Sequence, residues 1–187
     1  MIKIDDWVIE KGEKAQGKIE ITGCGMAMPA TVICGVEDGP TILITAGVHS
    51  AEYVGIQAAM ELAKEFQPEE LKGNVIIIPL VNVSGFEHRT MSMVYEDGKN
   101  LNRVFPGDPE GTAADRIAYT MVTKLFSITD YYIDLHSGDD YEKLTPYVYY
   151  AGAAPEDVVK VSREMAEQVD VPYMVKSNVA SGGSYNY

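Results

Sequence analysis

Apolar positions along this chain fall into short continuous runs and spaced stripes, and the two patterns alternate. KIEITG (18–23) and ATVICGV (30–36) are β-branched runs separated by the Gly/Pro-containing GCGMAMP, which predicts an opening hairpin. After the turn EDGP, TILITAGV (41–48) is nearly continuous in apolar residues, the pattern of a central strand covered on both faces. Residues 51–66 show helical spacing, with Val54, Ala58, Leu62 and Phe66 on one stripe and Pro68 just beyond. NVIIIPLV (74–81) predicts a second buried strand, and helical spacing returns at about 112–127 with Ile117, Met121 and Leu125 on one face. YYIDLH (131–136) predicts a third buried strand and TPYVYYAG a fourth. APEDVVKVSREMAEQV reads as a helix, with Pro155 near its start and acids in its first turn. VPYMVKS reads as a last strand before the glycine-rich SGGSYNY.

Strands alternating with helices predict an α/β layered domain, and the opening hairpin makes its sheet mixed. Residues 82–110 break the alternation. They are rich in Gly, Asn, Asp and Pro, show no strong period, and are long for a plain connection, which marks a functional loop or disorder. No internal repeat or linker divides the 187 residues, which suit one domain with a substantial core.

Charge narrows the choice of partners. The formal net charge of −13 disfavours nucleic acid and anionic membrane surfaces, while leaving room for an anionic small substrate held by gathered arginines. The longest apolar stretch, VIIIPLVNV, is far shorter than a bilayer span. Cys24 and Cys34 form no metal-ligand spacing and are expected as free thiols. With no secretory h-region at the N-terminus, the expected location is cytoplasmic.

The chemistry gathers at strand ends. His49 and Glu52 stand three apart where a strand gives way to a helix, so both emerge at the carboxyl end of the sheet and can converge on one ion. The structural alternative has Glu52 favouring the helix N-terminus, which leaves His49 unexplained. His136 closes the strand YYIDLH, where taken alone it reads as a satisfied core histidine, and Asp134 shares its face. Asp134 either fixes the tautomer of a metal-bound His136 or is a buried carboxylate neutralised by an arginine such as Arg89 or Arg103. Two histidines and a glutamate supply three ligands to Zn²⁺ and leave a fourth position open, the catalytic arrangement. The same set accommodates Co²⁺ or Mn²⁺. In the long loop, Arg89, Asn102 and Arg103 are either candidates for holding a carboxylate or a developing oxyanion or simply solvated loop residues, the latter being the simpler reading of Arg89 taken alone. His88 is expected at the surface, and Arg116 and Arg163 solvated on helices. No HExxH, GxSxG or P-loop occurs, and TGCGMAM lacks the third glycine of a dinucleotide fingerprint.

Taken together, GVHSAEYVG, the arginine in EHRT, NLNRVFPG and DLHSG resemble the zinc carboxypeptidase-like superfamily. Within it, the chain is most similar to the succinylglutamate desuccinylase/aspartoacylase branch, from about Gly39 onward. The resemblance implies a three-layer α/β sandwich on a mixed, mostly parallel sheet. It also implies one Zn²⁺ ligated by His49, Glu52 and His136, a substrate carboxylate bound by Asn102 and Arg103, and a scissile carbonyl polarised by Arg89. The implied reaction is hydrolysis of the amide bond of a small anionic N-acyl amino acid. The chain departs from the branch in reading His49-Ser50-Ala51-Glu52 for HGNE and Asn100-Leu101-Asn102-Arg103 for DLNR. The branch also carries a general-base glutamate on a later strand and a β-rich C-terminal domain; Glu156, Glu164 and Glu167 are poor substitutes for that base. Residues 1–187 are therefore expected to be one zinc-hydrolase α/β domain, C-terminally incomplete, with uncovered edges through which copies could associate. The rival readings are a zinc carboxypeptidase acting on peptides and a metal- or ligand-binding module without turnover.

Overall fold

Side chains on neighbouring strands point alternately to two faces, and that alternation builds two cores. The computed structural model describes residues 1–179 and Gly183; apart from Gly183, the SGGSYNY stretch lies outside the described residues. Strand β1 (Ile2–Ile4) pairs with β2 (Trp7–Ile9) in a short antiparallel ribbon that the apolar pattern did not signal. Strands β3 (Lys14–Glu20) and β4 (Ala27–Cys34) form the expected hairpin. Then follow β5 (Glu37–Ala46), helix α1 (Tyr53–Glu65), β6 (Lys72–Ile78), the short α2 (Val83–His88), α3 (Ala113–Thr120) and β7 (Tyr131–Leu135). The five main strands lie in the order β3-β4-β6-β5-β7. Pairing is antiparallel from β3 through β4 to β6, and parallel from β6 through β5 to β7.

Helices cover both faces. On one, Ile33, Ile44, Val75 and Ile77 pack against Ile56, Ala59 and Ala63 of α1. On the other, Val32, Leu43, Ile76 and Ile78 pack with Ile117, Met121 and Leu125. Each fully buried isoleucine or leucine contributes about 1.5–3 kcal/mol through removal from water. The expected stripe at 117, 121 and 125 is thus buried, although the helix tightens and loosens along it. Residues Met121–Leu125 follow α3 as a π turn and Phe126–Ile128 as a 3₁₀ turn.

Three expectations need correction. Val54 is 73% exposed, and the buried face of α1 is Gly55, Ile56, Ala59 and Ala63. The helix faces the sheet through its small residues, because they allow the backbone close to β7. Strand β7 is not a buried central strand either: among the described residues it pairs only with β5, and Tyr131 and Ile133 are 36% and 38% exposed. Finally, the fourth and last predicted strands do not extend the main sheet. Strand β8 (Tyr147–Ala151) pairs in parallel with β9 (Tyr173–Ser177), and the amphipathic α4 (Glu156–Ala166) packs on β8. No helix of the described residues is long and apolar enough to cross a membrane.

Candidate metal centre

The end of β5 and the end of β7 lie side by side because the two strands pair from Ile42↔Tyr131 to Ala46↔Leu135. Both predicted clusters leave the sheet from that shared rim. After β5 the chain turns at Gly47, whose φ is +65° and where a Cβ would meet Leu80 Cδ1 at 2.7 Å, so glycine is required. His49 follows, and Glu52 occupies the residue before α1. A second glycine sets the approach from the other side: a Cβ on Gly55 would meet the Leu135 carbonyl oxygen at 2.8 Å. The first turn of α1 therefore rests against the end of β7 and delivers Glu52 to His136.

The three ligand atoms lie within 4.8 Å of one another. His49 Nδ1 is 2.8 Å from one carboxylate oxygen of Glu52, and His136 Nδ1 is 2.8 Å from the other. The second oxygen also accepts from the Ser137 backbone N–H at 3.0 Å. Glu52 is 6% exposed. Burial alone would raise its carboxyl, but the contacts with His136 and His49 outweigh burial and hold it at about 2. Burial would lower His136, yet the neighbouring Asp134 and Glu52 carboxylates push it up to about 10.

The outer nitrogens are held as well. His136 Nε2 lies 2.8 Å from Asp134, whose other oxygen accepts from the Thr45 hydroxyl at 2.6 Å. Of the two roles open to Asp134, the geometry gives the one that orients His136. His49 Nε2 lies 3.1 Å from Asn100 Oδ1, which also accepts from the Asn102 backbone N–H at 2.9 Å. Sequence reasoning noted Asn100 only as a departure from DLNR. Nothing local signals that it reaches a histidine 51 residues earlier, since only tertiary packing closes that distance.

The arginines are placed differently from one another. Arg89 ends α2 in the left-handed conformation (φ +56°) and is exposed, lining a cleft beside the His49–Glu52 loop. Asn102 is buried on a 3₁₀ turn, Leu101–Arg103, immediately after Asn100. Arg103 is exposed and donates from Nη1 to the Asn102 carbonyl at 2.6 Å. His49, Glu52 and His136 thus meet directly, whereas Arg89 and the Asn102-Arg103 pair flank them from two segments of the long loop. That loop is anchored at several points. Ser50 donates to the Met91 carbonyl from its hydroxyl at 2.6 Å, and Asp97 accepts from Ala114 N at 2.8 Å at the start of α3.

Residues outside the centre settle simply. His88 is exposed and stacks on Tyr95 with ring centroids 3.6 Å apart. Arg163 pairs with Glu167 at 2.9 Å, and Glu164 lies 3.9 Å from Lys160. Arg116 is not simply solvated: it donates to the carbonyls of Gly111 and Gly23, tying α3 to the turn after β3. Both cysteines are free thiols.

Two imidazoles and one carboxylate, each imidazole presenting Nδ1 inward and restrained at Nε2, form a donor set that fits a divalent cation such as zinc. The buried, ionised Glu52 adds the negative charge such an ion needs.

Known proteins are similar to this chain in sequence and in fold. The Succinylglutamate desuccinylase/Aspartoacylase catalytic domain model matches residues 38–187. The chain is 36% identical, over 171 residues, to an N-alpha-acetyl-L-2,4-diaminobutyric acid deacetylase of Halomonas elongata. That match covers 89% of this chain and 46% of the deacetylase. The product-bound structure of the Ectoine utilization protein EutE (DoeB) from Ruegeria pomeroyi is similar with a TM-score of 0.84 and 26% identity, over 97% of this chain and 57% of that one. A succinylglutamate desuccinylase/aspartoacylase structure from Rhodobacter sphaeroides gives a TM-score of 0.78 and 28% identity, over 91% and 54%. Thrombin activatable fibrinolysis inhibitor shares the fold alone, with a TM-score of 0.63 and 15% identity, over 91% and 57%. The chain spans about half the length of the curated relative it matches.

Proposed function

The chain belongs to the succinylglutamate desuccinylase/aspartoacylase family, and on that premise we propose that it serves metal-assisted hydrolysis of the amide bond of a small N-acyl amino acid. His49, Glu52 and His136 would hold one zinc ion. Zinc in such a set supplies Lewis acidity and brings the deprotonation of water down to about pH 7.

The protein's own groups account for the rest of the arrangement. Glu52 keeps its charge at neutral pH because both imidazoles and the Ser137 N–H face its oxygens. Asp134 and Asn100 fix the two rings, so the donors need little rearrangement when a cation arrives. Arg89, on the cleft wall, presents a guanidinium suited to an oxygen that gains negative charge. Asn102 and Arg103 would hold the substrate carboxylate and so contribute orientation. The relative from Halomonas elongata acts on an N-acetylated amino acid, which favours deacylation over removal of C-terminal residues from peptides.

The observation that supports this reading most is the meeting of three donor atoms from two separate strand ends within 4.8 Å. Its test is zinc content of the purified protein beside a His49→Ala variant, followed by release of free carboxylate from a panel of N-acyl amino acids. Zinc in the parent and its loss in the variant are expected, with release by the zinc-loaded protein. Equal zinc in both, or an intact panel with a zinc-loaded full-length form that carries the family's general-base glutamate, would refute the proposal.

A further inference from the structure

His49 and Glu52 begin and end one tight turn, closed by the Glu52 N–H donating to the His49 carbonyl at 3.2 Å. The spacing of the two side chains is therefore set by the residues between them, Ser50 and Ala51. Both are tied outward. Ser50 is 2% exposed and donates twice to the Met91 carbonyl, from its backbone N–H at 2.9 Å and from its hydroxyl at 2.6 Å. The Ala51 carbonyl accepts from the Asp140 N–H at 3.0 Å. The turn is thus held from two sides, by the long loop and by the segment that follows β7.

Both outside partners have an unusual backbone. Among the described residues, four that are not glycine have positive φ, and Met91 (+58°) and Asp140 (+50°) are two of them. Burial does not account for either conformation, since Met91 is 49% exposed and Asp140 is exposed. A left-handed backbone costs free energy in any residue with a Cβ, and it persists where the surrounding structure needs the groups it presents. Residue 91 presents a carbonyl and residue 140 an N–H, and each meets the turn that carries His49 and Glu52. Met91, Asp140, Ser50 and Ala51 all line the cleft that Arg89 shares. The back of the turn is therefore a wall of that cleft.

We propose that Met91 and Asp140 are positioning residues, whose left-handed backbones hold Ser50 and Ala51 and through them set the spacing of His49 and Glu52 before an ion arrives. The proposal rests on the metal centre put forward above and assigns what fixes its geometry. Zinc affinity then depends on backbone conformation at two exposed positions outside the donor set. Glycine adopts positive φ freely, and asparagine and aspartate adopt it more readily than most residues. A β-branched residue is a pronounced outlier there.

A substitution series read by chelator competition at fixed pH tests this. Asp140→Gly and Asp140→Asn should bind zinc within about twofold of the parent, because both tolerate the conformation and asparagine removes only the charge. Met91→Gly should do the same. Asp140→Val and Met91→Val should lose about fivefold to thirtyfold, the cost of a left-handed residue converted to affinity. Ser50→Ala deletes one of the two donors to Met91 and should lose about twofold to tenfold. Urea unfolding of the metal-free variants separates positioning from plain stability. Valine variants that unfold earlier yet take up zinc as the parent does overturn the proposal, and so does parent-like affinity in Ser50→Ala. A loss in Asp140→Asn as large as that in Asp140→Val would make charge the cause and overturn it too. Hydrogen exchange of the Glu52 amide in metal-free protein reads the turn without an ion, and it should be faster in Asp140→Val than in Asp140→Gly. If the parent takes up no zinc, that difference upholds the positioning and refutes the metal reading, whereas equal exchange refutes the positioning.

Discussion

Zinc uptake should expel at least one proton from this site at neutral pH, and the affinity should climb as pH rises. In the metal-free protein His136 is held up at about 10 by Asp134 and Glu52 against the opposing effect of burial. At pH 7 its ring is therefore an imidazolium, and a cation must displace that proton to reach Nδ1. Glu52, held at about 2, is already ionised and adds no proton in this range. The proton displaced from His136 makes apparent affinity rise by at least about tenfold for each pH unit between roughly 6 and 9, and ionisation of the metal-bound water would steepen the rise above about pH 7. The His136 side chain is 31% exposed, so water screening lowers the top of that window and leaves the slope below it unchanged. The assay is chelator competition at successive pH values, with calorimetry in buffers of different ionisation enthalpy to count the proton directly. Affinity independent of pH across this range, with no buffer dependence of the heat, would refute the reasoning. The same shifts fix the metal-free stability profile. The His136 contribution is complete below its ordinary 6.5 and lost as pH rises through about 10. The Glu52 contribution is complete above its ordinary 4.5 and lost as pH falls through about 2. Both are whole only between 4.5 and 6.5.

Asp134→Asn keeps the shape but removes the charge behind His136; zinc affinity measured by chelator competition should fall about 10- to 100-fold at pH 8. Ile76→Ala opens a cavity at a residue 0% exposed in the centre of the sheet, and urea unfolding should show a loss of about 2–5 kcal/mol. Asp97→Ala removes the acceptor for Ala114 N and the Thr112 hydroxyl at the start of α3, for an expected loss of about 0.5–2 kcal/mol in the same assay.

Much of this was legible along the chain, for reasons that differ between elements. β5 and β6 declared themselves because continuous apolar runs suit strands covered on both faces, and the stripe at Ile117, Met121 and Leu125 is buried as its spacing requires. The face of α1 was misjudged because Val54, Ala58, Leu62 and Phe66 are the larger-seeming stripe, whereas close approach to β7 selects Gly55, and packing on β4, β5 and β6 buries Ala59 and Ala63. Strand β7 read as buried because its composition is apolar, and composition does not say how many neighbours a strand has.

By itself the sequence determined most of the segments that become strands and helices, though not β1, β2 or α2, since period and turn residues are local properties. It also determined that two histidines, a glutamate and an aspartate stand at strand ends. Only the tertiary structure decided that those ends adjoin, because parallel pairing of β5 with β7 is a contact between residues about ninety positions apart. It alone brought Asn100 to His49, turned Asp134 towards His136, and gathered Arg89, Met91 and Asp140 around one cleft. Such meetings depend on how whole elements pack, and packing is a property of the sum of the chain rather than of any stretch of it.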